Sequence, residues 1–405
     1  MVRRGLVFLH RWTGLIMTSF LVVVGLTGAL LAYRVEIDRL VNPRLFARPM
    51  PGARLDLATL AERAEAIAPD ARVAYFYDDV PDQVSIRCAP RVNPATGKPY
   101  PLDFDHLILD PWTGRELGRR LEFGVTRLSR ANLMPFLYTL HTSLVLGDIG
   151  ALVLGYVALA WTLDCFVGFY LTLRSGRGGF WRRWKPAWRI PWRGTPFRIH
   201  FDLHRALGLW IWPLLFVFAW SSVMFNLRPV YEKVTGALFD YQSDEALFAS
   251  LPAHPIEHPK LDWRAAQAKA ATLMAEQAAL HGFTVRRPSG LAYIGEFGVY
   301  SYTVESSRDF RRRSPGTSLY LDGDTGELRH LFLPAGEHAG NTIGNWLWAL
   351  HYGDVYGLRS YRFLVCVTGV SIVVLSITGV YIWWRKRRGR AFAAARHRLE
   401  AKPCA

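Results

Sequence analysis

The chain has 405 residues, 51% of them hydrophobic, and carries a formal net charge of +16. Four apolar runs, at about 12–33, 149–173, 206–227 and 363–384, are each long enough to cross a hydrocarbon layer of about 30 Å, which excludes an ordinary soluble globular protein. The surplus charge is not a nucleic-acid signature. Of the 49 Lys and Arg, 20 lie in 1–11, 174–205 and 385–405, beside the apolar runs and with only Asp202 and Glu400 among them; the rest of the chain holds 29 basic and 31 acidic residues.

The first run follows Met-Val-Arg-Arg-Gly and so resembles a secretory signal, but it is longer than an h-region and recurs inside the chain, so it reads as a retained span. The positive-inside rule then places the three basic segments in the cytoplasm and gives four spans with both termini inside. The expected organisation is a cytoplasmic N-terminus and first span over 1–33, a first outer domain over 34–136, and a His-bearing helix with the second span over 137–173. A basic cytoplasmic loop follows over 174–205, then the third span over 206–227 and a second outer domain over 228–345. A His-bearing helix with the fourth span over 346–384 leads to a basic cytoplasmic tail over 385–405. The central loop, Phe180-Trp-Arg-Arg-Trp-Lys-Pro-Ala-Trp-Arg-Ile-Pro-Trp192, interleaves Trp with cations, a composition suited to the headgroup layer and to anionic membrane lipid.

The two halves repeat. Leu-His-Arg-Trp-Thr-Gly-Leu-Ile at 9–16 returns as Leu-His-Arg-Ala-Leu-Gly-Leu-Trp at 203–210, and Leu-Tyr-Thr-Leu-His at 137–141 returns as Leu-Trp-Ala-Leu-His at 347–351. In each outer segment a helical stretch (57–67, 263–280) precedes alternating, half-buried strands (Val84-Ser-Ile-Arg, Tyr300-Ser-Tyr-Thr-Val). A strand and tight turn follow, Leu107-Ile-Leu-Asp-Pro-Trp-Thr-Gly114 and Leu319-Tyr-Leu-Asp-Gly-Asp-Thr-Gly326, where Gly supplies a positive φ. Each outer segment is large enough for a small core of its own. The fold class is therefore a membrane protein: a four-helix transmembrane bundle made by internal duplication, with two α+β outer domains.

The repeat sets His10 against His204 at the inner entries of spans one and three, and His141 against His351 before spans two and four on the outer side. An interfacial histidine ordinarily sits among headgroups, but two symmetric pairs suggest ligands to haem, each pair offering one neutral nitrogen from either side of a porphyrin. With no Cys-x-x-Cys-His, such haems are of the b type, without thioether links. His200, four residues before His204, is the rival inner ligand. Gly14, Thr18, Gly25, Gly28, Gly369, Ser376 and Gly379 would let a macrocycle or another helix come close. Asp164, inside span two, is either hydrogen-bonded to a neighbouring helix or a protonatable group near an electron path. His254 and His258 have i,i+4 spacing in a Pro-rich loop, His338 is a candidate for an outer pocket, and His106, His281, His330 and His397 read as surface residues. The scattered Cys88, Cys165, Cys366 and Cys404 make no disulfide framework.

The two histidine motifs, the helix-plus-hairpin segments ending in Leu-Asp-x-x-Thr-Gly, and the span endings Thr378-Gly-Val-Tyr-Ile-Trp-Trp-Arg385 and Val167-Gly-Phe-Tyr-Leu-Thr-Leu-Arg174 resemble the PepSY-associated transmembrane family over nearly the whole chain. The resemblance implies PepSY-like periplasmic domains on a bacterial inner-membrane protein, similar to ferric-siderophore reductases that carry two b-type haems. The expected activity is then that of an oxidoreductase in electron transport for iron uptake. Electrons pass from a cytoplasmic or quinone donor through haems held by His10, His204, His141 and His351 to a periplasmic ferric siderophore, releasing Fe(II). No nicotinamide, flavin or nucleotide fingerprint is present, so the donor is external. The alternatives are a non-enzymatic membrane anchor whose PepSY-like domains bind or inhibit a peptidase, and a component of siderophore uptake.

Overall fold

The structure is a computed structural model that describes residues 1–173, 176–243, 256 and 258–400, without the side chains of Asp79 and 393–400. Arg174, His254 and Cys404, and the side chains of His397 and Glu400, lie outside that description. The described helices are α1 (Val2–Leu31), α2 (Arg34–Val41), α3 (Leu57–Ile67), α4 (Leu133–Ser143), α5 (Gly147–Thr172), α6 (Phe180–Trp184), α7 (Pro196–Trp210), α8 (Trp212–Asn226), α9 (Arg228–Leu238), α10 (Trp263–His281), α11 (Ala339–Tyr352) and α12 (Arg359–Glu400). The strands are β1 (Ala71–Val80), β2 (Gln83–Pro90), β3 (His106–Leu109), β4 (Glu116–Arg120), β5 (Val285–Ile294), β6 (Val299–Ser306), β7 (Thr317–Asp322) and β8 (Leu328–Phe332). They fall into two compact units. The first is Met1–Ala32, Leu140–Arg228 and Phe363–Ala405, and the second is Tyr33–Thr139 with Pro229–Arg362.

In the first unit α1, α5 and α12 are long and apolar enough to cross a membrane, and α7 with α8 adds a fourth crossing if that bent pair is one span. Ile16 and Leu26 of α1, Leu163 and Phe166 of α5, and Phe363 and Ile377 of α12 stay exposed. Helices that leave so much apolar surface uncovered need an apolar medium around them. The third run departs from the straight helix expected over 206–227. Helix α7 starts earlier, at Pro196, where the Thr195 hydroxyl accepts the Arg198 N–H. It then meets α8 at 69° around Ile211. Pro213, in the first turn of α8, has no N–H for the ladder, and its ring crowds the carbonyl four residues back.

Helices α1 and α12 touch backbone to backbone. A methyl group at Gly25 would lie 2.8 Å from the Gly369 carbonyl oxygen, and one at Gly369 would lie 2.6 Å from that of Gly25. Arg3 donates to the carbonyls of Leu173 and Leu171, closing the C-terminal end of α5. In the basic loop, Trp184 is buried against Phe169, Trp181 and Trp188 and donates its indole N–H to the Thr172 hydroxyl, while Trp181 and Trp192 stay exposed.

The second unit holds two four-stranded antiparallel sheets with the same sequential order, β1-β2-β3-β4 and β5-β6-β7-β8. A helix precedes each, and both helices start on a capping aspartate: Asp56 accepts from the Thr59 N–H and Asp262 from the Ala265 N–H. The Leu-Asp-x-x-Thr-Gly turns also match in detail. Asp110 Oδ1 accepts from Trp112 and Thr113, and Asp322 Oδ1 from Asp324 and Thr325, with Gly114 and Gly326 at φ +67° and +73°.

Two features differ from expectation. The outer segments share one core rather than holding one each: Leu60, Ala61 and Ala64 of α3 and Ala266, Ala270 and Met274 of α10 cluster with Val84, Ile86, Leu107, Leu291, Tyr302 and Leu319 from both sheets. Small alanines let α3 and α10 approach closely enough for Gln267 to accept the Ala58 N–H at 2.7 Å. Strand β6 is buried on both faces, not alternately. Its polar residues are satisfied inside, Thr303 by Ser318, and Ser306 by Thr317 and Asp309.

Partial burial alone would raise the Asp322 carboxyl, but the Arg329 guanidinium and the Thr325 and Asp324 amides outweigh it and hold it at about 2. A depressed carboxyl stabilises the fold above its unfolded value near 3.8 and loses that contribution as pH falls toward 2. Asp322→Asn should therefore lower unfolding stability by about 1 kcal/mol at neutral pH, allowing for solvent screening, and the difference should vanish near pH 2. Chemical denaturation at the two pH values checks this.

Candidate functional site

His10, in the third turn of α1, and His204, in the third turn of α7, come together in the first unit. Their ring centres are 6.2 Å apart and their planes differ by 66°. The Nδ1 of His10 lies 2.9 and 3.0 Å from the two carboxylate oxygens of Asp164 on α5. The Nδ1 of His204 lies 3.0 Å from both the Leu375 carbonyl oxygen and the Thr378 hydroxyl on α12. Carbonyl and carboxylate oxygens only accept, and the Thr378 hydroxyl already donates to the Val374 carbonyl. Each Nδ1 therefore carries a proton, and Nε2 is the ring nitrogen left for another partner.

His141, near the end of α4 in the same unit, repeats the pattern. Its Nδ1 is 2.9 Å from the Thr27 hydroxyl, which itself donates to the Val23 carbonyl. Each of the three rings is seated over a glycine on the helix that holds its Nδ1. A methyl at Gly28 would lie 3.0 Å from His141 Cε1, one at Gly379 3.3 Å from His204 Cε1, and one at Gly168 3.4 Å from His10 Cε1. The sequence did not pair these residues, although the Thr27-Gly28 and Thr378-Gly379 dipeptides were a usable signal. His351 lies in the last turn of α11, in the second unit, beside Tyr352 and capped by Gly353 at φ +67°.

The other candidates fall elsewhere. The ring facing His10 is that of His204; His200, one turn earlier, donates to the Pro196 carbonyl and packs on Tyr381 at 4.4 Å. Asp164 is hydrogen-bonded to a neighbouring helix, the plainer of its two expected roles. Gly25 and Gly369 serve helix contact, while Gly14 has open space. His338 pairs with Asp240 at 2.8 Å, and His258 is exposed. His106 is a correction. It is not a surface residue but is 2% exposed on β3, bonded to Asp105, because the Tyr77 and Phe123 rings pack over the face from which its side chain projects. Cys88, Cys165 and Cys366 are free thiols.

Among the described residues no three His, Cys, Asp or Glu side chains gather around a bare metal ion. The His10–His204 pair suits a metal that arrives with its own equatorial ligands. With metal–nitrogen bonds of about 2.0–2.1 Å, two imidazoles on opposite sides of one metal have ring centres roughly 6 Å apart, and their Nδ1 protons need acceptors. Both conditions are met, so the donor set fits a haem. The family model described as the PepSY-associated TM region matches residues 7–386. The chain belongs to this family. As a PepSY-associated TM protein it is a membrane protein carrying PepSY domains, which accords with the apolar helices and the paired sheets. It is also similar to an uncharacterised protein of Pseudomonas aeruginosa, 26% identical over 293 residues, which covers 67% of this chain and 69% of the relative.

Proposed function

We propose that this PepSY-associated TM protein carries electrons across the bacterial inner membrane, using two b-type haems held by His10 with His204 and by His141 with His351. The terminal acceptor is a periplasmic ferric siderophore, reduced so that iron leaves as Fe(II). In this reading the α7–α8 pair counts as one bent span. The bundle then has four spans built by internal duplication, with both termini in the cytoplasm and the second unit in the periplasm. The observation that carries the reading is the His10–His204 pair, with each Nδ1 tied to an acceptor and the rings 6.2 Å apart. The repeated sheet order and turn geometry support the duplication, and the placement of the basic segments supports the orientation.

Bound haem iron supplies one-electron chemistry that no side chain here offers. The chain's own contribution is to fix the rings. Asp164, the Leu375 carbonyl and Thr27 hold three Nδ1 protons, and Gly168, Gly379 and Gly28 leave room beside them. The apolar spans keep water from the path. The donor is a cytoplasmic reductant or a membrane quinone.

A visible spectrum of the purified full-length protein, produced with haem supplied, tests this. The expected result is a Soret band with low-spin bis-imidazole features. His351→Ala should remove one of the two equivalents, and His281→Ala neither. A preparation without a Soret band would sink the electron-transfer reading and leave the membrane-anchored peptidase-binding reading in its place.

A further inference from the structure

Just past the fourth apolar run, Arg385, Arg388, Gly389 and Phe392 recur at i, i+3, i+4 and i+7, so they share one face of α12. Together with Lys386 and with Phe197 of α7 they line a groove of about 450 Å³. Gly389 keeps it open, since a methyl group there would meet nothing within 4 Å. The cations are held by rings rather than by acids. The Arg388 guanidinium carbon lies 4.9 Å from the Trp384 ring centre and 5.9 Å from that of Phe392, and the Lys386 Nζ lies 5.5 Å from that of Phe201 on α7. A ring face orients a cation without using up the donors at its edge. Among the described residues, Arg385, Lys386 and Arg388 make no hydrogen bond and no ion pair. Of the two acids in the basic segments, Asp202 is paired with Arg198 and Arg205, and the Glu400 side chain lies outside the description. Lys386 also feels the like charges of Arg11 and Arg390. The groove therefore has a positive excess that no described side chain offsets.

We propose that this groove binds the headgroup of an anionic phospholipid, with its phosphate among Arg385, Lys386 and Arg388. Its place favours a lipid over a soluble anion. Trp383 and Trp384 stand directly before it, at the end of an apolar span, and tryptophan there marks the level where hydrocarbon gives way to headgroups. A basic pocket between helices at that level meets phosphate from the bilayer itself. A headgroup carrying its own amine would add a cation to a place already crowded with them, so the fitting lipid is one without it. Phe197 stands seven residues before His204 on α7, and Lys386 seven after Gly379 on α12, about two turns in each case. The groove thus lies along the two helix faces that seat His204 beside Gly379, and a lipid filling it braces α7 against α12 next to that seat. The inference needs the membrane but not the haem.

Full-length protein in nanodiscs of phosphatidylcholine, with and without phosphatidylglycerol, tests this through its thermal midpoint and the lipids it retains in native mass spectrometry. Wild type should retain phosphatidylglycerol preferentially and gain a higher midpoint that grows with its fraction, as mass action requires. The triple variant Arg385→Gln, Lys386→Gln, Arg388→Gln should lose that gain and bind phosphatidylglycerol at least about tenfold more weakly. It should stay as stable as wild type in phosphatidylcholine alone. Gly389→Leu keeps every charge and fills the groove, so it should lose the gain as well, and it decides the matter if the triple variant does not fold. Arg189→Gln with Arg193→Gln removes two cations from the basic loop and should keep the gain. A gain that survives in the triple variant or in Gly389→Leu, or that vanishes equally in the loop control, would overturn the proposal. So would an equal gain from inorganic phosphate in phosphatidylcholine discs, which would place a free anion in the groove. A gain confined to haem-loaded protein would assign the cations to haem carboxylates and overturn it too. A protein that binds no haem but shows the phosphatidylglycerol gain would overturn the proposed function and support this inference.

Discussion

His10→Ala and His204→Ala should each abolish the same haem, removing roughly half of the bound total, because a bis-imidazole site that loses either axial nitrogen no longer holds a low-spin iron. The double variant should lose no more than either single one. That non-additivity is the signature of two residues acting on one site. His200→Ala is the informative control. Its ring packs on Tyr381, while the ring facing His10 is that of His204, so it should leave haem content unchanged. Thr378→Val should be mild, since the Leu375 carbonyl still accepts the His204 proton. Haem quantification per protein, read with the low-spin spectrum, checks all five. Loss of the same haem in His200→Ala with retention in His204→Ala would move the ligand one turn along α7.

The sequence made the histidine motifs, the two outer helices and the Thr-Gly turns legible because each is local. A helical spacing, a glycine at positive φ and a Leu-His-Arg run need only near neighbours to declare themselves. What it did not disclose depends on partners far along the chain. Strand β6 reads as half-buried by alternation, yet Asp309 and Thr317 cover its polar side. His106 reads as a surface residue in sequence, but Tyr77 and Phe123, from 29 residues before it and 17 after it, cover its ring. The division of the outer segments into separate cores failed because α3 and α10 are alanine-rich on the faces they share. Pro213 did carry a readable signal for the bend at Ile211, but hydropathy alone ran the third span straight through it. Asp164 was noticed as an anomaly, while its bond to His10 joins residues 154 positions apart and left no trace in spacing.

Gly369→Ile should be among the most damaging single apolar substitutions in the spans. The Cβ it adds would lie 2.6 Å from the Gly25 carbonyl oxygen, 3.1 Å from the Ala29 Cβ and 3.2 Å from the Ala29 nitrogen. Backbone atoms at those distances cannot rotate aside as a side-chain tip would, so α1 and α12 have to separate. In an apolar medium no hydrophobic force draws them back, and their association rests on the close packing that the substitution removes. The expected cost is more than about 4 kcal/mol, the range reserved for overpacked contacts that cannot relax. Gly14→Ala, with no neighbour within 4 Å, should cost nothing measurable. The damage should also reach the histidines, because α1 carries His10, and Thr27 and Gly28 one turn beyond the crossing hold His141. Thermal inactivation in detergent should show Gly369→Ile unfolding or aggregating well below wild type, with both haems lost together rather than one at a time. A Gly369→Ile protein as stable as wild type would mean that the two helices do not cross backbone to backbone.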